Sequence, residues 1–314
     1  MFAHLVPWLR GQGIDCRENA AIGPLLNFKI GGQVSLLAVC TSPDQLAACA
    51  QRMREEKLPF LVIGGGSNIV FHDGLTRAAV LVYQEAAEKT TVARLLDERS
   101  LQIDGGVKNQ LFLSWCAAHG VGGLEFLSGI PGTVGGAAAV NAGAFGRSMA
   151  DVVLGADIVD NGGNRITVDA GHFGFTYRDS AFKLGNEVIL SLRLEFSRAD
   201  KSFIAGEIKK NLDYRLSRHP SYRWPSAGCF FKNPLRAAGT RSAGKIIEEC
   251  GLKDLSAGGV AVAAEHGNFL LNRGHATFAE LQRLENGIKA AVAAQTGIDL
   301  EREVIYVSVD GKKY

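Results

Sequence analysis

The stretch IGGGSNIVF, residues 63–71, decides how the fold is read. It continues the apolar run FLV, as a dinucleotide fingerprint behind a buried strand should. It is not G-x-G-x-x-G, however, and no helix signal follows it. Asn68 leads straight into Ile69, Val70 and Phe71. An ordinary Rossmann unit therefore does not account for it. Two readings stay open: a tight strand–strand turn, or a nest of backbone amides for phosphate oxygens.

Two further glycine-rich stretches compete with it. LSGIPGTVGGAAAVNAGAFG, residues 127–146, is almost wholly small, with Asn141 its lone amide. Such a stretch lets a flat or extended ligand lie on main chain; it could equally be a small-residue helix packed on a sheet. Two such loops on one domain suggest one large dinucleotide held at two points. GTRSAGKI, residues 239–246, nearly matches a phosphate-binding P-loop. Ile246 stands where the Mg²⁺-binding hydroxyl belongs and no strand precedes it, which argues against a nucleoside triphosphatase.

Bulk properties narrow the class. The 314 residues suit two or three lobes. A formal charge of +2 gives no field aimed at nucleic acid or at a membrane surface. The 38 glycines exceed the usual ~7% and point to a ligand surface lined by backbone. Cys16, Cys40, Cys49, Cys116, Cys229 and Cys250 are scattered without a C-x-x-C pair, as thiols of a reducing compartment are. The seven histidines form no ligand motif, so no metal is expected. Neither a signal peptide nor a membrane span is expected. The expectation is a cytoplasmic monomer that handles small molecules.

Along the chain, a helix is expected from Pro43, with Ser42 as N-cap and Gln45 completing a capping box. Strands are expected at FLVI, AVLVYQE and SLQIDGG, and a helix over KNQLFLSWCAAH that stops at Gly120. ADIVDNGGNRITVDA reads as a hairpin, and NEVILSLRLEFS as a long strand. A polar stretch near Arg198 marks the main boundary. This gives residues 1–198 as one domain, with lobes of about 1–76 and 77–198, and 199–314 as a second. In the latter, a helix from Thr277 buries Phe278, Leu281, Leu284, Ile288 and Val292. DLEREVIYVSVDG reads as the terminal strand, with Glu301 and Glu303 on one face.

IGGGSNIV, SGIPGTVGGAAAVNAGAFG, YRDSAF, SAGCFFKNP, GKIIEECGLK and LEREVIYV occur in this order. Together they resemble the UDP-N-acetylenolpyruvoylglucosamine reductase family of peptidoglycan precursor synthesis, over nearly the whole chain. The resemblance implies an α+β fold: a vanillyl-alcohol-oxidase-type FAD-binding domain of two α/β lobes, plus a C-terminal α+β substrate-binding domain whose terminal strand reaches the active site. It implies FAD as cofactor, NADPH as hydride donor and a UDP-sugar enolpyruvyl ether as substrate. Cys229 follows Arg178 by only 51 positions. The chain thus resembles the shorter subclass, without the insertion that carries a lid tyrosine. The rival readings are another FAD oxidase or dehydrogenase of this fold, and a flavin-binding protein without turnover.

The same match implies the site. Arg178 corresponds to an active-site arginine, and a guanidinium can clamp a carboxylate and stabilise an enolate. Cys229 stands where the family usually has a proton-donating serine. A thiol, with an ordinary pKa near ~8.5, can donate at neutral pH. Glu303 matches a catalytic glutamate, for which a raised pKa is expected, whereas Glu301 reads as an exposed carboxylate. Tyr177, Arg218, Lys232 and Asn233 are expected at the substrate, although Lys232 reads equally well as a solvated loop charge. Gly64, Gly65, Gly66, Ser67, Asn68, Ser128, Gly132, Thr133, Gly135 and Gly136 are expected to hold FAD, with Lys29, Ile30, Gly31 and Gly32 near the flavin.

Overall fold

The computed structural model describes residues 1–84, 92–221, 223–234 and 241–314. Gly239 and Thr240, which open the P-loop-like stretch, lie outside the described residues. The chain forms two compact units. Unit 1 comprises Met1–Glu18, Ser35–Gly65 and Ala78–Tyr214; unit 2 comprises Asn19–Val34, Gly66–Arg77 and Arg215–Tyr314.

These limits fall elsewhere than the 198/199 boundary read from the sequence, for packing reasons. The helix Lys201–Arg218 buries Ile204 and Asn211. Asn211 Nδ2 donates to the Glu125 carbonyl at 3.0 Å, so most of the helix belongs to unit 1. Conversely, Phe28, Ile30 and Val70 are buried in the core of unit 2, although they come from the first quarter of the sequence.

Unit 1 contains an antiparallel five-stranded sheet in the order Arg165–Asp169, Val153–Val159, Val188–Glu195, Ser100–Asp104, Ala93–Leu95. The expected hairpin is its first pair, with Ile158 opposite Ile166. The helix Asn109–His119 ends at Gly120, whose φ of +69° is the left-handed cap that glycine supplies without strain. In a second sheet, Phe60–Ile63 lies parallel to Leu75–Tyr83, with Leu61 opposite Val80. The helix Pro43–Glu55 starts as expected at Ser42, whose Oγ accepts the Gln45 N–H at 3.2 Å. Gln45 does not complete the box. Its Oε1 turns to the Thr41 N–H at 2.8 Å, one residue earlier.

Unit 2 is built on the helix Phe278–Thr296. Thr277 and Glu280 form a complete capping box, and Asp73 accepts the Phe278 and Ala279 N–H groups at 2.7 and 3.2 Å. All five expected apolar residues of that helix are buried. They are joined by Glu285, a buried carboxylate that accepts from the Tyr306 hydroxyl at 2.6 Å. The antiparallel strands Ser256–Ala257, Val260–Val262 and Leu270–Asn272 pack on this core. The terminal strand is shorter than its sequence suggests. Only Ile305–Val307 is regular, pairing in parallel with Ile69–Phe71. Glu301 and Glu303 lie on irregular chain before it, so strand alternation does not set their directions.

Candidate active site

In unit 1 the two glycine loops pack closely against each other. A Cβ on Gly64 would stand 2.2 Å from Thr133 Oγ1, and one on Gly65 would stand 2.6 Å from Gly132 Cα. Gly135 approaches Gly105 as closely, and its N–H donates to the Gly105 carbonyl at 2.9 Å. Real side chains do not tolerate such distances, so the glycines are required by the approach itself. Thr133 starts the short helix Val134–Ala139, its Oγ1 accepting the Gly136 N–H at 3.3 Å. Ser128 is fully buried and donates to the Glu125 carbonyl at 2.6 Å. Its hydroxyl closes a turn.

The YRDSAF motif docks onto the end of the same small-residue stretch. Thr176 and Asp179 exchange both backbone hydrogen bonds, at 3.1 and 3.2 Å, across a two-residue turn made of Tyr177 and Arg178. Arg178 takes a φ of +57°, a left-handed conformation that costs a non-glycine residue on the order of 1 kcal/mol. Several groups hold it there. Its Nη2 donates to the Gly143 carbonyl at 2.6 Å, and Lys183 Nζ donates to its carbonyl at 3.2 Å. Asn141, the lone amide of the stretch, donates from Nδ2 to the Thr176 carbonyl at 2.7 Å and accepts the Ala150 N–H at 3.0 Å. The Tyr177 ring lies 5.5 Å from the guanidinium and is partly exposed.

In unit 2 the remaining motifs are tied together by amide groups. Gly66 accepts the Asn27 N–H at 3.0 Å, and its φ of +61° turns the loop. Asn68 reaches from the same loop to the Glu303 carbonyl at 3.4 Å, and its own carbonyl accepts the Ile305 N–H at 3.0 Å. The Glu303 N–H donates to the Phe230 carbonyl at 2.9 Å. The Cys229 and Glu303 segments are therefore direct neighbours. Cys229 is half-buried, bridges Phe269 through its backbone, and packs in a small cluster with Trp224, Ala263 and Leu271.

Lys232 is not a solvated charge. Its side chain is only 13% exposed, and Nζ lies 2.6 Å from Glu301, which is largely exposed, as expected. Asn233 Oδ1 accepts the Ala243 N–H at 2.9 Å, leading into the helix Ala243–Glu249. Ser242 caps that helix, so the described part of the P-loop-like stretch is a helix start. Arg218 is exposed at the last turn of its own helix. Around residues 29–32, Gly32 packs so closely on the Asp73 carbonyl that a Cβ would be 2.2 Å away. Ile30 is fully buried, Gly31 has a φ of +152°, and Lys29 Nζ donates to the Pro24 carbonyl at 2.6 Å.

Sequence reasoning missed two asparagines. Asn272 donates to the Phe28 carbonyl at 3.0 Å, and Asn268 pairs with the Phe231 peptide. The available signal was NFLLN, two amides bracketing an apolar strand, which reads as an ordinary strand end. It also missed two imidazoles around Phe269, with His219 4.9 Å and His266 5.1 Å from it between ring centroids. Burial, then the charges of Arg215 and His266, push His219 down to about 4.

Residues 219–307 match the family model for the C-terminal domain of UDP-N-acetylenolpyruvoylglucosamine reductase, and residues 34–169 match an FAD binding domain. The UDP-N-acetylenolpyruvoylglucosamine reductase of Moorella thermoacetica is 36% identical over 294 residues, 94% of each chain. That of Geotalea uraniireducens is 36% identical over 307 residues, 98% of this chain and 97% of its own. The crystal structure of the Thermus caldophilus enzyme superposes with a TM-score of 0.75 at 27% identity, covering 93% of this chain and 98% of that one. The chain belongs to the UDP-N-acetylenolpyruvoylglucosamine reductase family. Its fold is accordingly α+β, with an FAD-binding domain and a C-terminal domain. The reductase family's cofactor is FAD, and the main-chain surface of unit 1 fits it. Gly65 meets the Gly132 backbone and Gly64 the Thr133 side chain where the two loops touch, while Gly135 packs on the backbone of Gly105.

Proposed function

We propose that this chain reduces UDP-N-acetylglucosamine enolpyruvate to UDP-N-acetylmuramate in the cytoplasm, using FAD and NADPH, as a monomer acting on small molecules. What carries the reading is near-complete family coverage, joined to the hydrogen bond that makes the Cys229 and Glu303 segments neighbours. FAD, when bound, supplies transfer of a hydride equivalent from NADPH to the terminal vinyl carbon. In this reading, residues 1–198, which also carry Tyr177 and Arg178, hold FAD, and residues 199–314 supply the other substrate contacts, a functional division that differs from the packing limits of the two units. The glycine loops at 64–68 and 128–136 take the cofactor, and residues 29–32 lie near its ring.

The protein must manage charge and a proton. As the vinyl bond is reduced, an electron pair builds on the carbon that carries the ether oxygen and spreads into the carboxylate. Arg178, held in one conformation by its turn, binds that carboxylate. Cys229 then gives its proton to the carbon: the S–H bond breaks, a C–H bond forms, and the thiolate takes a proton back from water. Glu303 orients the acid and the developing charge. Tyr177, Arg218, Lys232 and Asn233 contact the sugar nucleotide, Asn233 through its NH₂ group.

The test is an anaerobic flavin spectrum. NADPH should bleach the holoenzyme, and the enolpyruvyl substrate should restore the oxidised spectrum. Bleaching without recovery would leave an oxidase of the same fold. No bleaching by NADPH would leave a flavin-binding protein without turnover.

A further inference from the structure

Asn268 makes a set of bonds that no catalytic role assigned above requires. Its Oδ1 accepts the Phe231 N–H at 2.8 Å, and its Nδ2 donates to the Phe231 carbonyl at 2.8 Å. Its main-chain carbonyl accepts the Phe230 N–H at 2.8 Å. The buried carboxamide thus replaces a strand partner for Phe231, while the Asn268 backbone serves Phe230, and the residue is only 2% exposed. The two phenylalanines are buried at 1% each, so the segment is also fixed by packing. Cys229 is the residue at which this clamped segment meets Phe269.

Asn268 is itself set by His266. The Asn268 N–H donates to His266 Nδ1 at 3.1 Å, and the Phe269 N–H donates to the His266 carbonyl at 3.0 Å. An Nδ1 that accepts carries no proton, so the ring is neutral and protonated at Nε2. The Gly267 N–H is taken by Glu248 at 3.2 Å, which closes the turn.

We propose that Asn268 is the positioning residue for the protonation step: it fixes the peptides beyond Cys229 and so aims the thiol, while the His266 imidazole holds Asn268 in its turn. This rests on the reading of Cys229 as the proton donor. A misplacement of about 1 Å costs on the order of 10²-fold in rate. The groups facing the His266 ring are Glu248, Lys253 and His219, with Arg215 behind His219. Burial lowers its pKa, partly offset by Glu248. The ring therefore stays neutral to lower pH than an ordinary histidine does. Protonation puts a donor where Asn268 needs an acceptor.

The experiment separates the two half-reactions of the FAD-loaded enzyme by stopped flow. Asn268→Ala should slow flavin reoxidation by the enolpyruvyl substrate ~10- to 100-fold and leave reduction by NADPH within about twofold. Asn268→Asp should lose the bond to the Phe231 carbonyl when ionised and regain it when protonated. Its reoxidation rate relative to wild type should therefore recover as pH falls from 8 to 5. His266→Gln should lack the acid-side fall in reoxidation that wild type shows. Equal slowing of both half-reactions by Asn268→Ala, or no slowing, overturns the proposal. If that variant does not fold, a flat ratio for Asn268→Asp overturns it instead. Cys229→Ala is run alongside. If it reoxidises normally, the proton-donor reading has failed; if it is dead while Asn268→Ala is normal, only the positioning role has.

Discussion

The glycine surface of unit 1 and the amide-tied segments of unit 2 solve the same problem by opposite means. In unit 1, loops far apart in sequence are joined by removing side chains until main chain touches main chain, as Gly65 does at Gly132. In unit 2, loops still farther apart are joined by adding carboxamides that reach main chain, as Asn68 does at Glu303 and Asn272 at Phe28. A bare backbone surface suits a large flat cofactor, because it presents repeated donors and no obstruction. Carboxamides suit a reacting centre, because each fixes a direction and can donate and accept at once. The contrast is one of emphasis, since Asn141 also ties Thr176 in unit 1 and Gly32 also packs on the Asp73 carbonyl in unit 2.

The sharpest test of that division is Cys229→Ala. It should lower flavin reoxidation by the enolpyruvyl substrate ~10²- to 10⁴-fold, the range of a lost general acid, while NADPH reduction and FAD content stay unchanged. Cys229→Ser should keep both half-reactions. A serine variant as slow as alanine would show that the site needs a thiol, and that donor acidity rather than position decides the rate.

The matching disruption in unit 1 is Gly65→Ala. Its Cβ would press on backbone that cannot swing aside, so FAD should be lost on gel filtration and stability should fall by ~1–3 kcal/mol. Gly206→Ala, exposed in the helix Lys201–Arg218 and outside both cofactor loops, is the control. Its Cβ would meet nothing within 4 Å, so FAD should be retained. If Gly65→Ala holds FAD as tightly as wild type, close approach is not what shapes the cofactor surface.

The two regions also differed in how far the sequence revealed them. Glycine at 64–66 and 132–136 is an anomaly on its face, since nothing but backbone geometry explains so many absent side chains. The helices were visible through their caps and stripes, Thr277 with Glu280 above all. The asparagines of unit 2 were not legible. Asn268 and Asn272 differ from surface amides only through partners 37 and 244 positions away in the chain. Arg178 and Cys229 stood out through family resemblance, yet the left-handed turn that holds Arg178 has no signature in YRDSAF. Gly66–Arg77 joins unit 2 through tertiary packing, which no local pattern encodes.

Asn272→Ala probes the amide side of the contrast with a smaller effect. It removes the donor to the Phe28 carbonyl and the acceptor for the Gly274 N–H, both buried or half-buried. The unfolding free energy should drop by ~1–3 kcal/mol in urea titrations, with FAD binding less affected than in Gly65→Ala. An unchanged midpoint would mean that packing alone holds residues 28–32.

The smallest effect concerns His219, and its sign can be worked out. An unfolded histidine binds its proton near pH 6.5, whereas the folded imidazole is pushed down to about 4 by burial, with Arg215 and His266 adding to it. The fold therefore favours the neutral ring. Its full stability is present above pH 6.5 and is lost progressively as pH falls through 4, where both states take up the proton. Screening by solvent at this half-buried position holds the loss to ~1–2 kcal/mol. Urea midpoints measured between pH 7.5 and 4.5 should fall for wild type, and should fall less for His219→Gln, which cannot charge. Parallel curves for the two proteins would remove His219 from the account. The acid sensitivity of unit 2 would then rest with His266, the imidazole that holds Asn268.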